Sequence, residues 1–117
     1  MTNDVTHKNK NLRLIGTEFI PCAEDGRLFV ARWDVVHTNS NTTAYYIFGI
    51  DVAEMATYQN VNNEQTLSEL CQHAIVDHIE ENNFKDKTFR FEFDENGFEL
   101  CERPPKWANY DCGYVKN

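Results

Sequence analysis

The sequence predicts an α+β fold, in which an antiparallel β-meander, one main amphipathic helix and a C-terminal β-hairpin share one core. Three observations support this class. Runs rich in β-branched and aromatic residues alternate with turn residues in the first half of the chain, residues 67–81 carry apolar side chains at helical spacing, and phenylalanine recurs at every second position over residues 89–93. A chain of 117 residues has the usual size of one domain and buries about two-thirds of its surface on folding. We therefore expect a single domain over residues 1–117.

The first half of the chain is expected to form the meander. Two β-rich runs, residues 12–22 and 27–37, flank the dipeptide Asp25-Gly26, which favours a tight hairpin turn. A third run, residues 43–50, is rich in aromatic and β-branched residues and follows a polar turn. The pattern indicates three consecutive antiparallel strands.

Two helices are expected after the meander. Asp51 and Glu54 have the spacing of an N-terminal capping pair, which predicts a short helix over residues 52–58. Thr66 and Glu69 form a Thr-x-x-Glu capping box, and apolar residues then recur every three or four positions. This pattern predicts the main helix over residues 67–81. Its expected inner face consists of Leu67, Leu70, Cys71, Ala74, Ile75, His78 and Ile79.

The second hairpin has the clearest β pattern in the chain. Three phenylalanines alternate with Arg90, Glu92 and Asp94, and the turn dipeptide Asn96-Gly97 follows. With this dipeptide as the loop, the register places Phe93 opposite Leu100 and Asp94 opposite Glu99. One face of the hairpin is then aromatic and the other acidic.

Both ends of the chain differ in composition from the core. Residues 1–10 are polar and unpatterned, which predicts a loose arm. Residues 103–117 form an aromatic tail with Trp107, Tyr110 and Tyr114. We expect this tail either to pack back on the sheet or to extend to a partner.

The composition favours a cytoplasmic protein. No apolar run approaches the 18 or so residues of a membrane span, and the N-terminal segment lacks the apolar core of a secretion signal. The compartment then favours reduced thiols at all four cysteines, which are Cys22, Cys71, Cys101 and Cys112.

Negative charge is concentrated in one part of the chain. Residues 64–102 contain 11 acidic and 3 basic residues, so this segment alone carries a charge of −8, which equals the net charge of the whole chain. Such a field repels nucleic acid and anionic membranes and attracts basic partners. The pattern thus excludes direct nucleic-acid and membrane binding and favours a basic protein partner.

Two acidic surfaces are predicted within this segment. Glu92, Asp94 and Glu99 would crowd together on the outward face of the hairpin, where like charges cost stability. Glu69, His73, Asp77 and Glu81, with Glu80 beside them, would form a stripe along the main helix. Both surfaces also fit a simpler interpretation, in which they are only the solvated side of a helix and a solubilising strand face.

No cofactor or metal site is predicted. Cys71, His73 and His78 do not share one helix face, and no Cys-x-x-Cys pair accompanies them. The best enzyme interpretation is a cysteine nucleophile at Cys112 with a histidine base. The neighbouring acids, however, would raise the pKa of that thiol and lower its reactivity.

The sequence therefore predicts a non-catalytic acidic protein-binding module. Inhibitors, immunity proteins and nucleic-acid mimics share this kind of charge, and the partner would be a basic protein such as a nucleic-acid-handling protein or a toxin. The alternatives are a structural or accessory subunit that self-associates through apolar surface, and a small cysteine-dependent enzyme. The expected contact residues are Glu69, Asp77, Glu80, Glu81, Glu92, Asp94 and Glu99, with Trp107 and Tyr110 as anchors.

Overall fold

A computed structural model of the protein describes residues 2–7, 11–61, 64–81 and 87–109. Over these residues the chain forms seven β-strands, two α-helices and a short 3-10 helix, and the predicted α+β class is confirmed. The elements in chain order are β1 (Thr2–His7), β2 (Leu12–Thr17), β3 (Ile20–Pro21), β4 (Leu28–His37), β5 (Thr42–Asp51), α1 (Val52–Val61), α2 (Glu64–Glu81), β6 (Thr88–Asp94), β7 (Gly97–Leu100) and the 3-10 helix Lys106–Asn109.

All of these strands belong to one sheet, in the order β1-β2-β4-β5-β6-β7, and β3 also pairs with β4. Neighbouring strands are antiparallel except for β5 and β6, which run parallel. The connection from β5 to β6 contains both helices, and parallel neighbours require a long crossover of this kind. The carboxyl ends of β5 and β6 therefore lie at the same edge of the sheet.

Strand β1 (Thr2–His7) lies within residues 1–10, for which a loose arm was predicted; residues 1 and 8–10 lie outside the described residues. It pairs with β2 along its whole length, and Asp4 forms an exposed ion pair with Arg13 of β2 at 2.7 Å. Val5 and His7 are half-buried, whereas Asp4 and Thr6 are exposed. Because Val5 is the only strongly apolar residue of the strand, the hydrophobic pattern did not predict it.

A bulge divides the first predicted β run into β2 and β3. Gly16 lies opposite Trp33, and the next pair is Ile20 opposite Val30. Three residues of one strand therefore face two residues of the other between these pairs, which is the geometry of a β-bulge. The continuous strand predicted over residues 12–22 is wrong at this point.

The two faces of the sheet have different coverings. Helices α1 and α2 pack on one face, here called the helix face. Its buried residues include Leu12, Leu14, Trp33, Val35, Tyr46, Phe48, Cys71, Ile75 and Phe91, with Ile50, Met55 and Leu67 in an adjoining cluster. The opposite face, here called the second face, has a smaller core of Cys22, Leu28, Val30, Ile47 and Trp107.

The predicted cap of α1 is confirmed, whereas the capping box predicted at Thr66 and Glu69 is wrong as the start of α2, because that helix already begins at Glu64. The Asp51 side chain accepts a hydrogen bond from the backbone N–H of Ala53 at 2.8 Å and so caps α1. Helix α2 begins three residues before the predicted start and buries Leu67, Cys71, Ile75 and His78 against the sheet. Within the described residues, neither helix is both long and apolar enough to cross a membrane.

Candidate functional site

The second hairpin carries an acidic face. The three phenylalanines of β6 pack on the helix face of the sheet, so the alternating residues Arg90, Glu92 and Asp94 project from the second face. On β7, Glu99 lies opposite Glu92 and on the same side. Three carboxylates of the hairpin therefore lie next to one another on the second face.

The pairing register of this hairpin differs from the predicted one. A loop at Asn96-Gly97 would place Asp94 opposite Glu99 and Phe93 opposite Leu100. The observed pairs are Phe91 with Leu100, Glu92 with Glu99, Phe93 with Phe98 and Asp94 with Gly97. The predicted register is thus wrong by two residues, although each side chain stays on its predicted face because the shift is even.

Turn chemistry explains the shift. The Asp94 carboxylate accepts a hydrogen bond from the backbone N–H of Asn96 at 2.7 Å, which fixes the start of the turn. Gly97 has a φ of 113°, whereas Glu95 and Asn96 do not have positive φ. A type I turn followed by a glycine bulge fits these values, and the two-residue turn expected for Asn-Gly does not.

Like charges interact strongly on this face. Repulsion from Asp94, followed by a side-chain hydrogen bond with Asp94, raises the pKa of Glu99. Burial is the largest cause that raises the pKa of Glu54, and the charges of Asp51 and Asp94 add to it. Asp94 therefore lies within electrostatic reach of carboxylates from both the hairpin and the start of α1.

The parallel pairing of β5 and β6 explains this meeting. Gly49 lies opposite Glu92, so Asp51 and Asp94, each two residues further on, lie at the same edge of the sheet. We call Asp51, Glu54, Glu92, Asp94 and Glu99 the acidic corner. The sequence identified Asp51 and Glu54 only as a capping pair. The long crossover between β5 and β6 was the signal that could have placed them beside the hairpin.

The acidic corner has five carboxylates, and Arg90 projects beside them from the same face of β6. Ion pairs among the described residues include Arg13 with Asp4 and Arg32 with Asp34, each at 2.7 Å. Neither pair includes a carboxylate of the corner. Glu54, Glu92 and Glu99 are exposed to solvent, so their charges are available to a partner.

The α2 carboxylates that were predicted as partner contacts do not lie in the acidic corner. Glu69, Glu80 and Glu81 are exposed on α2, which packs on the helix face of the sheet. Asp77 is also exposed and lies on the side of α2 toward β1 and β2. The acidic face of the hairpin points to the opposite side of the sheet. The structure therefore brings the three hairpin carboxylates together but does not bring the helix carboxylates to them.

Of the two predicted anchors, the structure describes Trp107, and this residue is not exposed to a partner. Trp107 is 5% exposed and belongs to the core of the second face, where its ring lies against Gly49. Of the two outcomes predicted for the tail, Trp107 follows packing on the sheet. Tyr110 and Tyr114 lie outside the described residues.

One cysteine contradicts the prediction of reduced thiols. Cys22 is disulfide-bonded, whereas Cys71 and Cys101 are free. Cys112, the residue of the enzyme interpretation, lies outside the described residues. Cys22 is also part of the core on the second face.

The two free thiols are poor nucleophiles. Burial raises the pKa of Cys71 far above its ordinary value. Burial, the charge of Glu92 and a hydrogen bond from the thiol to the Glu92 carboxylate raise the pKa of Cys101 to about 12, and Arg90 opposes this shift only in part. The Cys101 sulfur lies 3.4 Å from that carboxylate oxygen. Neither thiol has the low pKa that nucleophilic catalysis requires.

Cys101 is therefore expected to react with iodoacetamide at pH 8 at least about tenfold more slowly in the folded protein than in the unfolded chain. The Glu92→Gln substitution removes the negative charge and should accelerate the reaction of Cys101, whereas Glu95→Gln in the turn should not. Mass spectrometry of labelled peptides measures both rates. Equal rates in wild type and Glu92→Gln would contradict the assigned contact.

In the described ranges, no group of three or more histidine, cysteine, aspartate or glutamate side chains has a geometry that could hold a metal ion.

Comparison of the chain with protein-family models, curated proteins and solved structures found no match.

Proposed function

We propose that the protein is a non-catalytic acidic binding module whose acidic corner docks on a basic surface of a partner protein. One observation carries this proposal: the carboxylates of the corner lie within electrostatic reach of one another. The charge of Asp94 is the largest cause that raises the pKa of Glu99. For Glu54, burial is the largest cause that raises the pKa, and the charges of Asp51 and Asp94 add to it. A partner that brings lysine or arginine side chains to the corner would relieve this repulsion. Binding would then add favourable charge–charge interactions that the carboxylates of the free protein do not make.

The geometry limits how such a partner can bind. The hairpin carboxylates of the corner and the outer side of α2 point away from opposite faces of the sheet, so one flat basic surface cannot contact both. The proposed contact residues are Glu54, Glu92, Asp94 and Glu99. The carboxylates of α2 contribute to the long-range field that attracts a basic protein and increases its association rate.

The partner class follows from charge alone. A basic surface that accepts several neighbouring carboxylates is common in nucleic-acid-handling proteins and in toxins that act on nucleic acid, because those proteins bind phosphates. The protein would then act as an inhibitor, an immunity protein or a nucleic-acid mimic. A cytoplasmic location remains part of this proposal, although a disulfide at Cys22 is uncommon in that compartment.

The two alternatives have less support. Among the described residues, Leu100 is the large hydrophobic side chain that is strongly exposed, at 42%, and an apolar interface needs a larger continuous patch. The cysteine enzyme requires an activated thiol, and both described free thiols have raised pKa values. The acidic corner is the feature that the alternatives leave unexplained.

Neutralising the corner is expected to abolish most partner binding. The double variant Glu92→Gln/Glu99→Gln keeps the side-chain size and removes two charges, and its affinity should fall about tenfold or more because the lost interactions are electrostatic. Wild-type binding should also weaken strongly between about 50 mM and 500 mM salt. Partners are captured with the tagged protein at low salt, and the dissociation constant of the recovered partner is then measured for each variant.

The matched control is Glu69→Gln/Glu81→Gln, which removes the same charge from the outer side of α2. It should retain binding within about threefold, since only the long-range field changes. Without a partner, the corner variant should be at least as stable as wild type because repulsion is relieved. An equal loss of affinity in the two double variants, or binding that does not depend on salt, would contradict docking at the corner.

A further inference from the structure

A cavity of about 370 Å³ lies between the β1–β2 edge of the sheet and helix α2. It is separate from the acidic corner, which projects from the second face near β6 and β7. Its lining residues are Val5, His7, Leu14, Gln72, His73, Val76 and Asp77. The volume is at the lower end of the range for small-molecule sites in proteins.

The lining combines an apolar wall and a polar wall. Val5 and Leu14 are cross-strand partners in β1 and β2, and Val76 faces them from α2. His73 and Asp77 are four residues apart, so they lie on the same side of α2, one turn from each other. A ligand in the cavity would meet three aliphatic side chains and a carboxylate next to an imidazole.

One lining atom lacks a protein partner. The Nδ1 atom of His7 is buried and makes no hydrogen bond within the protein. Buried polar atoms in folded proteins are nearly always hydrogen-bonded, to protein or to a bound molecule. His7 therefore contributes a buried ring nitrogen beside the cavity, and the polar group that the cavity presents to a ligand is the Asp77 carboxylate.

The charge of the lining selects the ligand class. Of the described residues that line the cavity, Asp77 supplies the only carboxylate, and none is a lysine or arginine. The net charge of the chain, −8, also favours cations over anions at its surface. A cationic group at Asp77 would leave its apolar stem against Val5, Leu14 and Val76.

We propose that this cavity binds a small organic cation, namely an ammonium or guanidinium group on a short apolar stem. Asp77 holds the charge, and the aliphatic wall of Val5, Leu14 and Val76 holds the stem. The same chemistry occurs in free alkylamines and alkylguanidines and in lysine or arginine side chains of peptides. The inference does not depend on the function proposed for the acidic corner.

The probe is n-butylguanidinium, titrated into the protein while the ring resonances of His7 and His73 are followed by NMR. Saturable shifts of both rings with a millimolar dissociation constant are expected. Butyrate and 1-butanol, which match the stem but not the charge, should bind at least tenfold more weakly. Absence of saturable shifts, or equal binding of butyrate, overturns the proposal.

A matched pair of variants tests whether Asp77 is the carboxylate that binds the guanidinium group. Asp77→Asn should weaken binding of n-butylguanidinium about tenfold, whereas Glu81→Gln removes an equal charge from α2 outside the lining and should leave binding unchanged. Equal affinity in Asp77→Asn and wild type overturns the assignment. Amide spectra of both variants confirm that each is folded before titration.

A second titration separates the two ligand sources. The peptide acetyl-Gly-Arg-Gly-amide presents the same guanidinium group on a protein backbone. Binding of either probe through Asp77 supports the inference. A lower dissociation constant for the peptide assigns the site to protein side chains, and a lower constant for n-butylguanidinium assigns it to free small molecules.

Discussion

Replacing Gly16 with alanine is expected to lower the free energy of unfolding by about 3 kcal/mol, at the upper end of the usual cost of overpacking a core. A Cβ atom at this position would lie 2.3 to 2.5 Å from three atoms of the Trp33 ring. Carbon atoms do not approach so closely, so either the ring or the backbone of β2 must shift. The expected fall in melting temperature is on the order of 10 °C.

Trp33 has little freedom to move away. It is 1% exposed and packs in the helix-face core. Strand β2, which carries Gly16, is held between β1 and β4, so its backbone is also fixed on both sides. Protein cores are packed as densely as organic crystals, and a shift of one large ring therefore disturbs its neighbours.

Two other glycines provide a graded control for this prediction. Gly26→Ala places its Cβ in open space, so stability should change by less than about 0.5 kcal/mol. Gly49→Ala approaches the Trp107 ring to 3.0 Å and should have an intermediate cost. Urea denaturation of the three variants measures the order, and a Gly16→Ala protein as stable as Gly26→Ala would show that the Trp33 packing is wrong.

The sequence predicted those elements whose own residues show a regular hydrophobic periodicity. Helix α2 and strand β6 each bury one periodic face against the core, and that periodicity is visible in the chain. Strand β1 was not predicted because it has one strongly apolar residue, Val5, and obtains its place from pairing with β2. Its stability comes from a partner strand, which local patterns do not describe.

The hairpin register shows a second limit of sequence patterns. A shift by two residues leaves every side chain on the same face, so the alternation of phenylalanine and charge fits both registers equally well. The Asp94 hydrogen bond to Asn96 and the positive φ of Gly97 select the observed register. These features depend on backbone geometry that the dipeptide Asn-Gly alone does not determine.

The candidate site was predictable in part for the same reason. The acidic face of the hairpin follows from alternation along β6, which the sequence contains. The addition of Asp51 and Glu54 depends on the parallel pairing of β5 with β6, which joins residues far apart in the chain. The separation of the α2 carboxylates from the hairpin also depends on which face of the sheet α2 covers.

The second large loss of stability is expected when the hydrogen bond between the buried side chains of Tyr46 and His78 is removed. The Tyr46 hydroxyl lies 2.7 Å from Nδ1 of His78, and the two side chains are 0% and 8% exposed. Tyr46→Phe leaves a buried ring nitrogen without this partner, which should cost about 1–3 kcal/mol. Urea denaturation at pH 7.5 measures the loss. Tyr45→Phe, a half-buried tyrosine on the second face, is the matched control and should change stability much less.

The same pair should make stability depend on pH. Burial among aromatic rings is the main cause that lowers the pKa of His78 below its ordinary value of 6.5. The unfolded chain therefore takes up a proton at this residue at a higher pH than the folded protein does. The stabilising contribution of neutral His78 is complete above pH 6.5 and is lost as the pH falls from there toward the lowered pKa of the folded state.

A comparison of variants isolates this contribution from the titrating carboxylates. His78→Gln keeps a polar side chain near Tyr46 and does not titrate, so the stability of wild type minus that of His78→Gln should decrease as the pH falls from about 7.5 to about 5. The same difference for His73→Gln, an exposed position five residues earlier on α2, should show a much smaller change. If the stability difference between wild type and His78→Gln stays constant over this pH range, burial does not keep His78 neutral. The aromatic cluster around His78 must then be more open to water than its ring contacts with Tyr46, Phe89 and Phe91 indicate.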